Sequence, residues 1–236
     1  MHIFDALCND KYKAEEHKWE NVLLTDMGFY RPIEMASLIL ANDTPILREH
    51  TYPFTASIAK FSQMLNKPFC NAKVLFIPTA AQDDEGRFVA EFSKNGLYWL
   101  GILPENLTVH DIDGSLSIEE AMAFDAVYFT GGWDTFLLNR VMQTGFDKIV
   151  KQMVYSNKIY IGQSAGTILA TPNIRGCFGG SDAKEFTALG LINAYIDCHC
   201  DMKPDLKPLK LPLPHIMLHF NQAIAVSWNG YEIINN

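Results

Sequence analysis

The chain is poor in the features that would hold it against a polyanion or a bilayer. Of its 236 residues only 19 are Lys or Arg, against 27 Asp and Glu, for a net charge of −8. That balance argues against a nucleic-acid or anionic-membrane surface. No window approaches the ~18 continuous apolar residues of a membrane-spanning helix. Residues 1–20 lack the basic start and long apolar stretch of a signal peptide, so the cytoplasm is the expected compartment. Cysteine is sparse and odd in number: Cys8, Cys70, Cys177, Cys198 and Cys200. Their spacing suggests no disulfide framework. Cys198-His199-Cys200 invites a metal reading. Adjacent side chains on a strand point to opposite faces, however, and no second Cys/His pair has finger-like spacing. No metal or other cofactor is expected.

Apolar residues are plentiful, at 48% of the chain, enough for one sizeable core. Residues 1–236 are expected to form one domain, with 1–20 peripheral and 201–214 an exposed loop rich in proline and lysine. Val22 to Thr25 reads as a first strand, and Asp26 to Tyr30 as a turn. Met35 to Ala41 and Ala56 to Leu65 have helical spacing, with a loop over Asn42 to Pro53 between them. Lys73 to Ile77 and Ala126 to Thr130 are strongly apolar, as suits strands buried on both faces. Glu85 to Gly96 reads as a helix with Phe88, Val89, Phe92 and Leu97 on a common side. Leu107 to Ile112 is a strand. Ser117 and Glu120 form a capping-box pattern for a helix through Phe124. Trp133 to Val141 and Phe146 to Tyr155 are helical.

Strands alternating with helices predict an α/β fold: a three-layer α/β/α sandwich around a mostly parallel sheet. In such sheets the site lies beyond the carboxyl ends of the strands. Three loops qualify: Pro78 to Asp83, Gly131 to Thr135, and Gln163 to Gly166. Beyond Pro172 come a glycine-rich loop over Asn173 to Thr187 and a short strand over Ala194 to His199. Ile216 to Phe220, Ala223 to Trp228 and Tyr231 to Ile234 follow as short strands. Asn229-Gly230 marks a hairpin between the last two.

The stretch that organises the chain is KIYIGQSAGTILATP, Lys158 to Pro172. A short apolar strand enters Gly162-Gln163-Ser164-Ala165-Gly166, and a helical run over Thr167 to Thr171 follows. This is G-x-S-x-G in the setting it requires, strand, sharp turn, helix. Such a turn presents its serine beside the N–H groups of a helix start, which suit a developing oxyanion. A nucleophilic serine needs a base and an orienting acid. His199 is the candidate base, with His215 and His219 as competitors. Asp182, Asp197 and Asp201 are available as the acid. Asp197 and His199 stand two apart on one expected strand and so share a face, either as an orienting pair or as a polar edge. The N–H groups around Gly131-Gly132 and of Ala165 are candidates for the oxyanion hole.

Three segments together, KVLFIPTAA, YFTGGWDTFLL and IGQSAGTILATPNIRG followed by ALGLINAYIDCH, resemble peptidase family S51. This is the dipeptidase E and cyanophycinase group, whose fold is related to class I glutamine amidotransferases. The resemblance implies metal-free serine hydrolysis of a peptide bond in dipeptides or small peptides. It implies Ser164 as nucleophile, His199 as base, and Gly132 and Ala165 as oxyanion donors. It places the acid in the loop after the serine, where Asp182 is the nearest counterpart. The expected partner is a small peptide, with a homodimer as the expected assembly and no role for nucleic acid or membrane.

The chain also departs from that pattern. The family's common G-G-N is here Gly131-Gly132-Trp133-Asp134, which puts a large ring and a charge at the mouth of the site. All of Gly131, Trp133 and Asp134 are expected to meet substrate, although Trp133 also suits a core-packing role. Dipeptidase E holds a substrate aspartate with an arginine after its histidine. Only lysines, among them Lys203 and Lys207, stand in that region here, and lysine lacks the bidentate fork. Two other readings compete. An α/β-hydrolase esterase would need strands between serine and histidine, and 35 residues leave little room for them. A non-catalytic relative that binds a ligand is the other; Trp133-Asp134 favours it, and the intact Ser164, His199 and Gly131-Gly132 oppose it.

Overall fold

The computed structural model describes residues 19–29, 55–174, 186–203, 205, 207–208 and 211–236. Among them, seven strands form one sheet in the order β3-β2-β4-β5-β1-β8-β9. These strands are β1 (Val22–Thr25), β2 (Val74–Ile77), β3 (Leu107–Val109), β4 (Ala126–Phe129), β5 (Ile159–Gln163), β8 (Gln222–Ser227) and β9 (Gly230–Asn235). The pairs from β3 to β1 are parallel; β8 and β9 add antiparallel at the β1 side. β6 (Tyr195–Asp197) and β7 (His215–Met217) make a separate parallel pair.

The alternation of side chains along each central strand divides the core in two. Val22, Leu24, Val127 and Phe129 face one cluster, while Leu23, Ala126 and Tyr128 face the other. The first cluster is covered by α4 (Asp134–Thr144), α5 (Phe146–Tyr155) and α6 (Ala165–Leu169), with the short α3 (Ile118–Ala121) at its margin. The second is covered by α1 (Thr55–Leu65) and α2 (Asp84–Leu100). The result is the three-layer sandwich that the alternation predicts. Ser117 and Glu120 make both halves of the capping box at the start of α3. No helix among the described residues is long and apolar enough to cross a membrane.

Several details differ from the expectation. The buried face of α2 holds Leu97, as expected, but otherwise the small residues Ala90, Ser93 and Gly96, which let the helix lie close to the sheet. Phe88 is 49% exposed instead and packs on Phe92, ring centroids 4.6 Å apart. The strand expected to reach His199 stops at Asp197, because His199 adopts the left-handed conformation, φ 59° and ψ 38°. Asp197 and His199 therefore do not share a face. The helix expected over Met35 to Ala41, the loop over Asn42 to Pro53, and most of the glycine-rich loop, Asp182 included, lie outside the described residues.

Candidate active site

β5 delivers Ser164 to the carboxyl edge of the sheet, and α6 begins at the next residue. Ser164 itself sits at φ 47°, ψ −105°, a strained region for a residue with a side chain. The turn closes because both flanking positions are glycine. A Cβ on Gly162 would lie 2.6 Å from the Gly166 carbonyl oxygen, and one on Gly166 would lie 2.6 Å from that of Phe129. Buried hydrogen bonds hold the turn from beneath. Tyr160 donates to the Gly166 carbonyl (2.6 Å), and Thr167 Oγ1 donates to the carbonyls of Thr25 (2.7 Å) and Gly162 (2.8 Å). Gln163 Oε1 accepts from Ser93 Oγ (2.7 Å) and from the Tyr128 hydroxyl (2.9 Å).

The loop after β6 brings His199 to the serine. Its Nε2 lies 2.8 Å from Ser164 Oγ. On the far side of the ring, Nδ1 lies 3.1 Å from Asp26 Oδ1, and the His199 backbone N–H donates to the same oxygen at 3.0 Å. Asp26 is fully buried at the end of β1. The competing histidines are committed elsewhere. His215 pairs with Asp197 (2.8 Å), both side chains buried, and His219 pairs with Asp201 (3.1 Å). Asp201 also accepts the Phe220 backbone N–H (2.7 Å). Of the carboxylates weighed from sequence, Asp197 and Asp201 thus face other partners, and Asp182 lies outside the described residues. From sequence Asp26 reads as part of a turn. The signal that marks it is an acidic side chain directly after a central parallel strand, at the edge where such folds gather their sites.

Gly132 stands across from Ser164 with φ 134°, pressed so closely on the preceding loop that a Cβ would lie 2.1 Å from the Ala80 carbonyl oxygen. The next N–H, of Trp133, donates to that oxygen at 2.8 Å. Among the described residues no backbone acceptor takes the N–H of Gly132 or of Ala165.

These residues border a cleft of about 440 Å³, lined by Gly132, Trp133, Asp134, Ser164, His199 and Lys203 among others. Trp133 is 56% exposed, so it is no core residue. Its indole N–H donates to Asp83 Oδ2 at 3.0 Å, tying the loop after β4 to the start of α2. The Gly86 N–H and then this indole N–H hold the Asp83 carboxyl below the usual carboxylate range. Asp134 is buried, and desolvation pushes its carboxyl above that range against the opposing bond from the Thr135 N–H. Lys203 Nζ donates to the Cys198 carbonyl at 3.1 Å. Lys207 does not line the cleft.

A parallel α/β sheet carrying a strained serine at a strand-to-helix turn, with a histidine on its hydroxyl, defines a nucleophile-elbow architecture. The profile of Peptidase family S51 matches residues 49–210. The chain belongs to peptidase family S51. An uncharacterized peptidase of Pasteurella multocida is 28% identical over 179 residues, 70% of this chain and 85% of that protein. An uncharacterized peptidase of Listeria monocytogenes is 38% identical over 101 residues, 43% of this chain, which spans about half (49%) of that relative's length. Peptidase E of Shewanella amazonensis is 30% identical over 160 residues, 66% of this chain and 62% of that protein. In fold, the chain is similar to a solved structure from Listeria monocytogenes EGD-e assigned to peptidase E. The TM-score is 0.60 at 22% identity, covering 92% of this chain and 98% of that one. A peptidase from an acI-B1 Actinobacterium gives TM-score 0.60 at 18% identity, with 93% and 89% covered.

Proposed function

We propose that this chain is a serine peptidase that hydrolyses dipeptides or other small peptides through an acyl-enzyme. The observation that carries the reading is the 2.8 Å approach of Ser164 Oγ to His199 Nε2 at a strained strand-to-helix turn. In this mechanism His199 Nε2 takes the Ser164 proton as Oγ attacks the scissile carbonyl. The carbonyl oxygen becomes an oxyanion and is met by the N–H groups of Gly132 and Ala165. The C–N bond then breaks, and the imidazolium gives its proton to the leaving amine. Water, deprotonated by the same imidazole, attacks the ester and frees the acid and the serine.

The cleft has the size of a small-ligand site, within the ~300–1,000 Å³ range of such pockets. Trp133 offers an exposed ring to a substrate side chain. Lys203 offers a point charge to a carboxylate, without the fork that would make aspartate recognition strict.

The test is a dipeptide panel with Asp-Xaa and uncharged Xaa-Xaa members, products followed by mass spectrometry, with Ser164→Ala in parallel. Cleavage by wild type that disappears in Ser164→Ala is the expected result, with uncharged members cleaved as well as Asp-Xaa. Cleavage undiminished in the variant refutes the nucleophile. A silent panel refutes the small-peptide assignment and favours the ligand-binding reading.

A further inference from the structure

The register of the sheet sets Asp26 beside the serine. β1 pairs with β5 so that Thr25 is level with Gln163, and the Ser164 N–H donates to the Thr25 carbonyl at 3.1 Å. The residue that follows Thr25 is therefore level with the nucleophile, and it is an aspartate. We infer that Asp26, from the end of the first strand, is the positioning residue that orients His199 and offsets the charge the imidazole acquires. This rests on the reading of Ser164 and His199 as nucleophile and base.

Three observations support it. First, Asp26 Oδ1 receives both the ring Nδ1 and the backbone N–H of His199, so one oxygen fixes the ring and its main chain together. A proton on Nδ1, held by this carboxylate, leaves Nε2 unprotonated to accept from Ser164 Oγ. Second, Asp26 is fully buried, and Oδ2 has no hydrogen-bond partner among the described residues. A buried carboxylate without a counter-charge is costly, so the arrangement gains when His199 becomes an imidazolium. Third, the neighbouring carboxylates are placed for other tasks. Asp197 is bound to His215, Asp201 to His219, and Asp134 stands on α4 beside the oxyanion donors. Lys203, on the same cleft, is the nearby cation and is directed to the Cys198 carbonyl. The Phe220 ring, centroid 6.0 Å from that of His199, covers the imidazole without contributing charge.

The experiment uses Asp26→Ala and Asp26→Asn in the full chain. Folding is checked by thermal melting, and two readouts are taken. One is the rate at which a fluorophosphonate labels Ser164: the Oγ–P bond forms, fluoride leaves, and the serine proton passes to His199. The other is the tautomer of His199 at alkaline pH, from ¹⁵N-histidine NMR assigned against His199→Asn. Wild type is expected to carry its proton on Nδ1. Asp26→Ala is expected to lose that preference and to label slower by about 10³-fold or more, the scale of losing the acid of a serine triad. Asp26→Asn is expected to label at least ~10²-fold slower, because a neutral amide neither offsets the imidazolium nor holds the proton on Nδ1.

Labelling of Asp26→Ala at the wild-type rate overturns the inference. So does slow labelling with the Nδ1 proton still in place. If Asp26→Ala does not fold, a wild-type labelling rate in Asp26→Asn overturns it and the expected slowing supports it. Wild type that never labels at Ser164 is instead a failure of the peptidase reading. The tautomer comparison then still decides whether Asp26 orients His199.

Discussion

Replacing Ser164 with glycine is predicted to stabilise the protein relative to replacing it with alanine, which reverses the ordinary ranking. Both variants lack the hydroxyl, so the contact with His199 cancels between them. What differs is the Cβ. At φ 47°, ψ −105° an alanine retains the strain of the native backbone, about 1–3 kcal/mol for a sparsely populated conformation. Glycine relieves it. Against this, glycine enlarges the conformational freedom of the unfolded chain, at a cost of about 0.4–1 kcal/mol. The difference favours Ser164→Gly by about 1 kcal/mol, or roughly 2–4 °C in melting temperature for a chain of this size. Thermal melting of the two purified variants under one buffer is the assay, with urea unfolding as the check on slope. Ser164→Gly melting at or below Ser164→Ala would mean that the turn stores no strain. The close approaches at Gly162 and Gly166 would then be its whole structural cost.

The remaining predictions concern titration. Desolvation raises the Asp134 carboxyl, so the folded state binds its proton more readily than the unfolded state. Stability from this residue is thus fully present below the ordinary value of 3.8 and lost as pH rises through the raised one. Asp134→Asn is therefore expected to raise the urea midpoint at pH 7 and to leave it nearly unchanged near pH 3.5; an equal effect at both values refutes this. Burial first, then the Asp197 charge, pushes the Cys200 thiol up to about 11. Iodoacetamide at pH 8 is expected to modify the exposed Cys70 while sparing Cys200, as read by peptide mass spectrometry. Rapid modification of Cys200 in folded protein would contradict that placement.

The layers of this fold were legible because each rests on local pattern. Val22 to Leu24 and Ala126 to Phe129 are near-continuous apolar runs, as suits strands covered on both faces. Asn229-Gly230 located the terminal hairpin, with Ser227 opposite Gly230. Ser164 was legible because glycines mark a tight turn in any context. Of the expected face of α2 Leu97 is buried and Phe88 is not, since helical spacing does not say whether the bulky or the small side chains face the sheet. Asp26 was beyond reach for a deeper reason. Its partnership with His199 depends on which strands lie side by side, and pairing across 173 residues leaves no trace in local spacing. The expected Asp197–His199 face failed on a single dihedral: the left-handed φ of His199 ends the strand and turns the ring toward β1.

The place of β1 between β5 and β8 also bears on how the chain comes off the ribosome. The first strand among the described residues is an inner strand of the sheet, and both of its neighbours lie far downstream of it in sequence. At ~5–20 residues per second, the 173 residues separating Asp26 from His199 take about 10–35 s to make. Until β5 is made the early strand has no partner on either side, and until His199 is made Ser164 lacks the histidine at its hydroxyl. The Ser164–His199 pair therefore forms only after both the early strand and the loop after β6 have been made. Its assembly depends on the closure of long-range contacts, which are slow to form.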